Sequence, residues 1–587
     1  MNEDWFGARL TQGGAAFRLW APAAKRVDLV LDRTIAMQRE ADGWFSIEVP
    51  GARAGALYRF RVNDQLDIPD PASHFQPHDI SGPAEIIDHG AYQWQATGWR
   101  GRPWTDAVVL EAHVGTFTQE GTYRAMVDKL DHLVDIGITA LELLPLADFP
   151  GKRNWGYDGV LWYAPDSSYG RPDDLKMLID EAHRRGLMVL LDAVYNHFGP
   201  EGNYLGNYAP TFFTGAETPW GGAIDYRVPQ VRKFALDSAM QWLRDYRFDG
   251  LRLDAVHEIV ENGDIPLLYD LSIAAGTLAK ETGREIHLVL EDDENRASLL
   301  DPITDPPAGK YRAQWNDDYH HAWHVLLTGE NGNYYRDYPE PRQSIARTLS
   351  EGFAYQGEAS AHRKGKLRGE PSGRLPPTAF INFVQNHDQI GNRAMGDRLT
   401  SSVEPAAIEA ALAMTLLAPM PPMLFMGEEW GATTPFPFFC DFQGSLADAV
   451  REGRRREFET AYDKFGDNIP DPLEEATFKL AKLDWESLND PQASNRLELV
   501  RRLLSIRRTE IMPKLSRSSF GRARVQDDGL LGASWKLGND TLRLQANLSS
   551  KQIANPLPED MAKNRLIFGA ESDQHKPWGV VWRIVEQ

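Results

Sequence analysis

Gly250-Leu251-Arg252-Leu253-Asp254-Ala255-Val256-His257 is a short apolar run closed by an acid. Its alternation has the period of a β-strand, which puts Arg252 and Asp254 on one strand face. Two more acids are placed alike. Glu291 closes Ile286-His287-Leu288-Val289-Leu290, and Asp388 follows Phe383-Val384-Gln385-Asn386-His387. A barrel of parallel strands gathers residues from several strand ends at one face, so acids far apart in sequence can share one site.

The surrounding rhythm is strand, then helix. Strands are expected at Val108–Val114, Thr139–Leu144, Leu187–Leu191, Gly250–Leu253, Ile286–Leu290, Tyr311–Trp315, Ala379–Val384 and Pro422–Phe425. Helical spacing is expected over Tyr123–Ile136, Pro172–Arg185, Val228–Tyr246 and Ile273–Glu281. This predicts an α/β fold, a (β/α)8 TIM barrel over residues 96–512. The alternative is an open doubly wound sheet, but no Gly-rich phosphate loop follows any strand. Short alternating runs such as Tyr58–Val62 predict an N-terminal β-sandwich over 1–95, and Ala533–Leu537 and Thr541–Leu544 a C-terminal β-domain over 513–587. Long loops at 145–171, 192–227 and 427–490 interrupt the barrel, and loops of that length usually carry function.

Composition narrows the partners. The chain has 587 residues, 42% of them hydrophobic, enough for more than one domain. A net charge of −21 argues against nucleic acid and anionic membrane surfaces, both of which need a basic face. A neutral substrate fits better. The 17 tryptophans suit sugar rings, although most would be core. Cys440 is the single cysteine, so no intrachain disulfide is possible. Met1–Phe6 has no basic start or signal-length apolar run, and no segment has the apolar length of a membrane span. A cytoplasmic location is expected; an exported protein already cleared of its signal is the alternative.

The grouped acids suit glycoside hydrolysis, where one carboxyl protonates the leaving oxygen and another attacks or stabilises the sugar cation. Asp192-Ala193-Val194-Tyr195-Asn196-His197, Gly250 to His257, Leu288 to Glu291 and Val384 to Asp388 form an ordered set. It resembles the four signature regions of the α-amylase superfamily. Arg153–Gly159, Tyr195–Tyr204, Gln314–Ala322, Phe438–Phe442 and Arg451–Phe458 resemble the maltooligosyltrehalose trehalohydrolase family within it. The resemblance implies hydrolysis of the α-1,4 bond beside the terminal trehalose of maltooligosyltrehalose, in trehalose biosynthesis. It implies a carbohydrate-binding-like N-terminal domain. It makes Asp254 the nucleophile, Glu291 the acid–base and Asp388 the third acid, with Asp254 and Glu291 about 5–5.5 Å apart if retaining.

Substrate contacts are expected from Trp155, Tyr157, His197, Trp220, Arg252, His257, Glu258, Asn316, Asp317, Asp318, Tyr319, His320, Gln385, Asn386, His387 and Gln389. For Trp155, Tyr157 and Trp220 the competing reading is plain packing. Arg252 would keep Asp254 ionised, or serve only as a structural ion pair. Asp292, Asp293 and Glu294 would raise the pKa of Glu291, unless they form a solvated face. The regions of Trp155–Tyr157, His257–Glu258 and Asn316–His320 are expected to wall off the leaving-group end; otherwise they brace the rim. No metal, cofactor or obligate protein partner is expected. A branching enzyme, a debranching enzyme and a silent glucan-binding protein are the alternatives.

Overall fold

The structure is a computed structural model that describes residues 5–218, 220–259, 266–301, 309–459, 461, 466–526, 529–553 and 564–586. The terminal Met1–Asp4, and parts of the 192–227 and 427–490 loops and of the C-terminal domain, lie outside them.

Eight strands form the central sheet: Val109–Ala112, Ala140–Leu143, Met188–Ala193, Gly250–Leu253, His287–Leu290, Ala313–Trp315, Phe380–Ile381 and Met423–Phe425. Neighbours run parallel, and the last strand pairs with the first through Val109 and Met423. A bridge between Asn382 and Pro422 joins the seventh and eighth strands. The expected (β/α)8 barrel is the observed fold.

Strand periodicity sets the layers. Val109, Ala140, Met188, Leu190, Val289, Ala313, Trp315 and Met423 form one buried apolar cluster, the barrel interior. Leu110, Leu141, Val189, Leu251 and Leu288, at the alternate positions, belong to the larger cluster beneath the helices. Side chains of one strand repeat their direction every second residue. Two steps beyond Val109, Ala140, Leu190, Gly250 and Val289 come Glu111, Glu142, Asp192, Arg252 and Glu291. A charged layer therefore caps the apolar interior. Gly250 has no room for a side chain, since a Cβ there would sit 2.1 Å from the carbonyl oxygen of His287.

Three expected elements differ. The first strand stops at Ala112, and Val114–Phe117 is a helical turn. The helix expected over 123–136 is two, Tyr123–Val127 and Leu130–Ile136, the second ended by Gly137 at φ 103°. The seventh strand is only Phe380–Ile381. The Asn386 side chain accepts the backbone N–H groups of Asp388 and Gln389 at 3.0 and 3.3 Å, starting a helix over His387–Gly391. Asp388 thus stands on a helix's first turn rather than at a strand end.

The N-terminal strands form two antiparallel-paired sheets, including Gly14–Trp20 with Trp44–Pro50, and Val27–Val30 with Leu57–Val62. The C-terminal domain is a five-stranded antiparallel sheet. The 145–171 loop carries a hairpin of Ala147–Asp148 with Leu161–Pro165, and the 192–227 loop one of Phe213–Thr218 with Gly221–Ile224. No described helix is long and apolar enough to cross a membrane.

Candidate active site

Arg252 is the hub of the charged layer. Its Nη1 donates to both oxygens of Asp192 at 2.7 Å and to Asp254 Oδ1 at 2.8 Å, and its Nη2 donates to Glu291 Oε2 at 2.7 Å. Its guanidinium lies 4.0 Å from the centre of the Trp315 ring, which supports it from the interior. One buried cation thus orients three carboxylates from three adjacent strands.

The two acids of the pair are driven apart electrostatically. Burial pushes the Asp254 carboxyl up, but the attraction of Arg252 and a 2.8 Å hydrogen bond from Asn196 Nδ2 overcome it and hold the group below the usual range. Glu291 goes the other way. Burial raises it well above the usual range; Asp254, Asp317 and Asp388 add to that push against the pull of Arg252. The run after Glu291 does not supply this repulsion. Asp292 is paired with Arg296 at 2.8 Å, Asp293 with Arg363 and with Arg368, and Glu294 with Arg363 at 2.6 Å. Each of these acids is paired with an arginine, and the charges that raise Glu291 come from acids elsewhere in the sequence.

Backbone geometry links the pair too. Ala255 sits at φ 39°, a conformation that costs a non-glycine residue roughly 1–3 kcal/mol. Its N–H donates to Glu291 Oε2 at 2.9 Å.

Opposite lies His387, whose Nδ1 is 2.5 Å from Glu111 Oε1 and whose backbone N–H donates to Glu111 Oε2 at 3.0 Å. Burial lowers the affinity of this imidazole for a proton, but Glu111 outweighs it and the net shift is upward. The Tyr157 ring stacks on His387 at 5.1 Å, and its hydroxyl donates to Asp192 at 2.6 Å. Burial also raises Asp388. His197 is fixed by the Tyr157 carbonyl at 2.9 Å and covered by the Trp220 ring at 5.4 Å. Trp220, 44% exposed at the hairpin turn, offers its outer face to solvent.

A cavity of about 200 Å³ contains Glu291, Asp388, His257, Asp317 and Gln389. Asp293, Tyr334, His362, Arg363 and Arg368 also line it. A neighbouring cavity of about 750 Å³ shares Tyr334 and Gln389 with it.

Several expected contacts are placed elsewhere. Trp155 is buried: its ring is stacked on Phe436 and packed so tightly over Gly391 that a Cβ there would meet it at 2.0 Å. No sugar can use that face. Asn316 donates to the Gly352 carbonyl and to Asn382, and Tyr319 lies in the core against Thr415. Asp318 accepts from Asn295, Arg368 and the N–H groups of Ala354 and Tyr355. His320 is held between the Val384 carbonyl and the Tyr335 hydroxyl. These four brace the rim; of the segment 316–320 only Asp317 lines the cavity. Gln385 and Asn386 are buried and act on backbone, through the Leu399 and Asp388 N–H groups. Glu258 is partly exposed beside His257, outside the cavity lining.

The sequence reading did not single out Glu111 as a site residue, nor Tyr334, His362, Arg363 and Arg368. A signal for the last two existed: residues 363–368 hold four cations in an acidic chain. Both oxygens of Asp192 are occupied by Arg252 and Tyr157, and among the described residues no cluster of three or more His, Cys, Asp or Glu could hold a metal.

Comparison with known proteins agrees with this geometry. Residues 91–210 match the alpha amylase catalytic domain, 5–73 carbohydrate-binding module 48 (isoamylase N-terminal domain), and 518–582 a domain of unknown function, DUF3459. The malto-oligosyltrehalose trehalohydrolase of Deinococcus radiodurans is 41% identical over 552 residues, 91% of this chain and 90% of that one. The chain belongs to the malto-oligosyltrehalose trehalohydrolase family. The Rhizobium sp. member of the family is 40% identical, covering 95% of each chain. A crystal structure from Salmonella typhimurium is 43% identical, covers 99% of both chains and superposes with a TM-score of 0.92. As a trehalohydrolase-family chain with an alpha amylase catalytic domain, this protein is a glycoside hydrolase.

Proposed function

We propose that this enzyme hydrolyses the α-1,4 bond next to the terminal trehalose of maltooligosyltrehalose, releasing trehalose by retaining double displacement. The observation that carries the chemistry is the pair held on one guanidinium, with Arg252 Nη1 2.8 Å from Asp254 Oδ1 and Nη2 2.7 Å from Glu291 Oε2; the surroundings shift Asp254 below the usual carboxylate range and Glu291 well above it. Pairs of titratable groups pushed apart in this way mark base or nucleophile and acid.

In the first step Glu291 gives its proton to the leaving glycosidic oxygen while Asp254 attacks the anomeric carbon. The C–O bond to trehalose breaks and an ester to Asp254 forms. Loss of the Asp254 charge then makes Glu291, now a carboxylate, the base for an incoming water. The water's oxygen displaces Asp254, and its proton returns to Glu291. Asp388 and His387 hold hydroxyls of the reacting ring over Tyr157, and Arg252 keeps the two acids in place throughout.

The small cavity lined by Asp293, Asp317, Tyr334 and Arg363 supports a compact leaving group. A site with buried polar groups matched to one substrate rejects another that leaves them unpaired. The reading places the enzyme in trehalose formation from glucan, in the cytoplasm. The test is incubation with maltooligosyltrehalose, plain maltooligosaccharide and glycogen. Trehalose as the main product, with little action on the other two, is expected. A preference for the plain oligosaccharide, or transfer to new branches, would replace the proposal.

A further inference from the structure

We infer that a groove between the barrel and the C-terminal domain is a second α-glucan binding site. The groove has a volume of about 450 Å³, within the range of ligand pockets. Its floor is the barrel helix Pro405–Leu417 and the helix Pro491–Ile506; its walls are the ends of the strands Arg565–Phe568 and Val580–Val585. It shares no lining residue with the catalytic cavity.

Trp578 is the telling residue. Every other tryptophan of the chain has an aromatic ring or a cation against its indole. Among the described residues Trp578 alone has neither, and it lines the groove. The indole is nonetheless held: its Nε1 donates to Glu404 at 3.1 Å and its backbone N–H to the Ser549 carbonyl at 3.1 Å. Its φ of 55° is a strained value for a bulky side chain. The indole is partly buried, one side packed against the core and the rest lining the groove, and an indole fixed in this way is a platform for the apolar face of a sugar.

The lining charges name the ligand class. Glu409 and Asp573 face Arg502 and Lys576, so the groove is balanced. Asp573 is paired with Lys576 at 2.8 Å, Glu409 lies 3.6 Å from Arg496, and Arg502 lies over the Phe568 ring at 5.4 Å. Such a lining gains nothing from a charged ligand but offers donors and acceptors to hydroxyls. A neutral polyhydroxylated chain fits it. The choice of an α-glucan rests on the proposed function.

The test is affinity electrophoresis of the full chain in gels cast with soluble amylopectin, in the Asp254→Asn background so that the glucan is not consumed. Trp578→Asn removes the ring while keeping a residue that tolerates left-handed φ. Ala406→Trp instead fills the groove from its rim. Both should weaken retardation about tenfold, the scale of a lost ring contact, and in the active enzyme both should leave kcat/KM on a short maltooligosyltrehalose within about twofold. Unchanged retardation in both variants overturns the inference, as does retardation lost only together with turnover. Equal retardation by a β-linked glucan overturns the identity of the ligand. Failure here leaves the short-substrate assay, and so the proposed function, untouched.

Discussion

Glu111 and His387, 276 positions apart, are joined by two hydrogen bonds, one to the backbone N–H at 3.0 Å and one to Nδ1 at 2.5 Å. The pairing commits Nδ1 and favours the charged ring. Glu111→Gln should keep the fold, lower the pKa of His387 and cut kcat by up to about 100-fold through misplacement of the reacting ring. Kinetics and NMR titration of the imidazole check this. A normal kcat with an unshifted His387 would show that Glu111 is only structural.

Asp254→Asn and Glu291→Gln should each lower kcat by roughly 10³-fold or more, with KM changed far less, because both groups act in the transition state. The shapes are preserved, so circular dichroism and thermal melts should stay close to wild type. Near-normal turnover of Glu291→Gln would require a different acid.

The pH–rate profile should be a bell. On the acid side Asp254 takes a proton only below the usual carboxylate range, so its part of the activity persists to low pH. Activity falls at high pH when Glu291 loses its proton, above the usual carboxylate range. Neutralising Asp317 as Asn removes one of the charges that raise Glu291, so the alkaline limb should move to lower pH. A limb that stays in place would remove Asp317 from the account.

The rim separates reading from bracing. Asp317→Ala and Tyr334→Phe, at the cavity, should lower kcat/KM for maltooligosyltrehalose more than for plain maltooligosaccharide. His320→Ala, in the packed rim, should lower stability by roughly 1–3 kcal/mol through unpaired partners and reduce both substrates alike. Substrate-selective loss at His320 would contradict the placement of its ring against Val384 and Tyr335.

The barrel was legible because strand and helix periods are local. Asp254 and Glu291 were legible because each extends an alternating strand by one position. Long-range partners were not. Nothing near Glu291 announces that Asp317 and Asp388 raise it, while the visible acids Asp292 and Asp293 are paired with Arg296, Arg363 and Arg368. Trp155 and Tyr157 look alike two residues apart, yet Gly391 lets one ring sink into the core while the Asp192 carboxylate draws the other to the cleft. Glu111 needed its partner His387, 276 positions along the chain, before its role could be read.

One measurement tests the central claim, that Asp254 and Glu291 release trehalose with retention. Proton NMR of the anomeric region should follow maltooligosyltrehalose through the first turnovers, before mutarotation. Retention requires free trehalose to appear together with a new reducing end in the α configuration. A β-configured end appearing first, or turnover without trehalose, would contradict it.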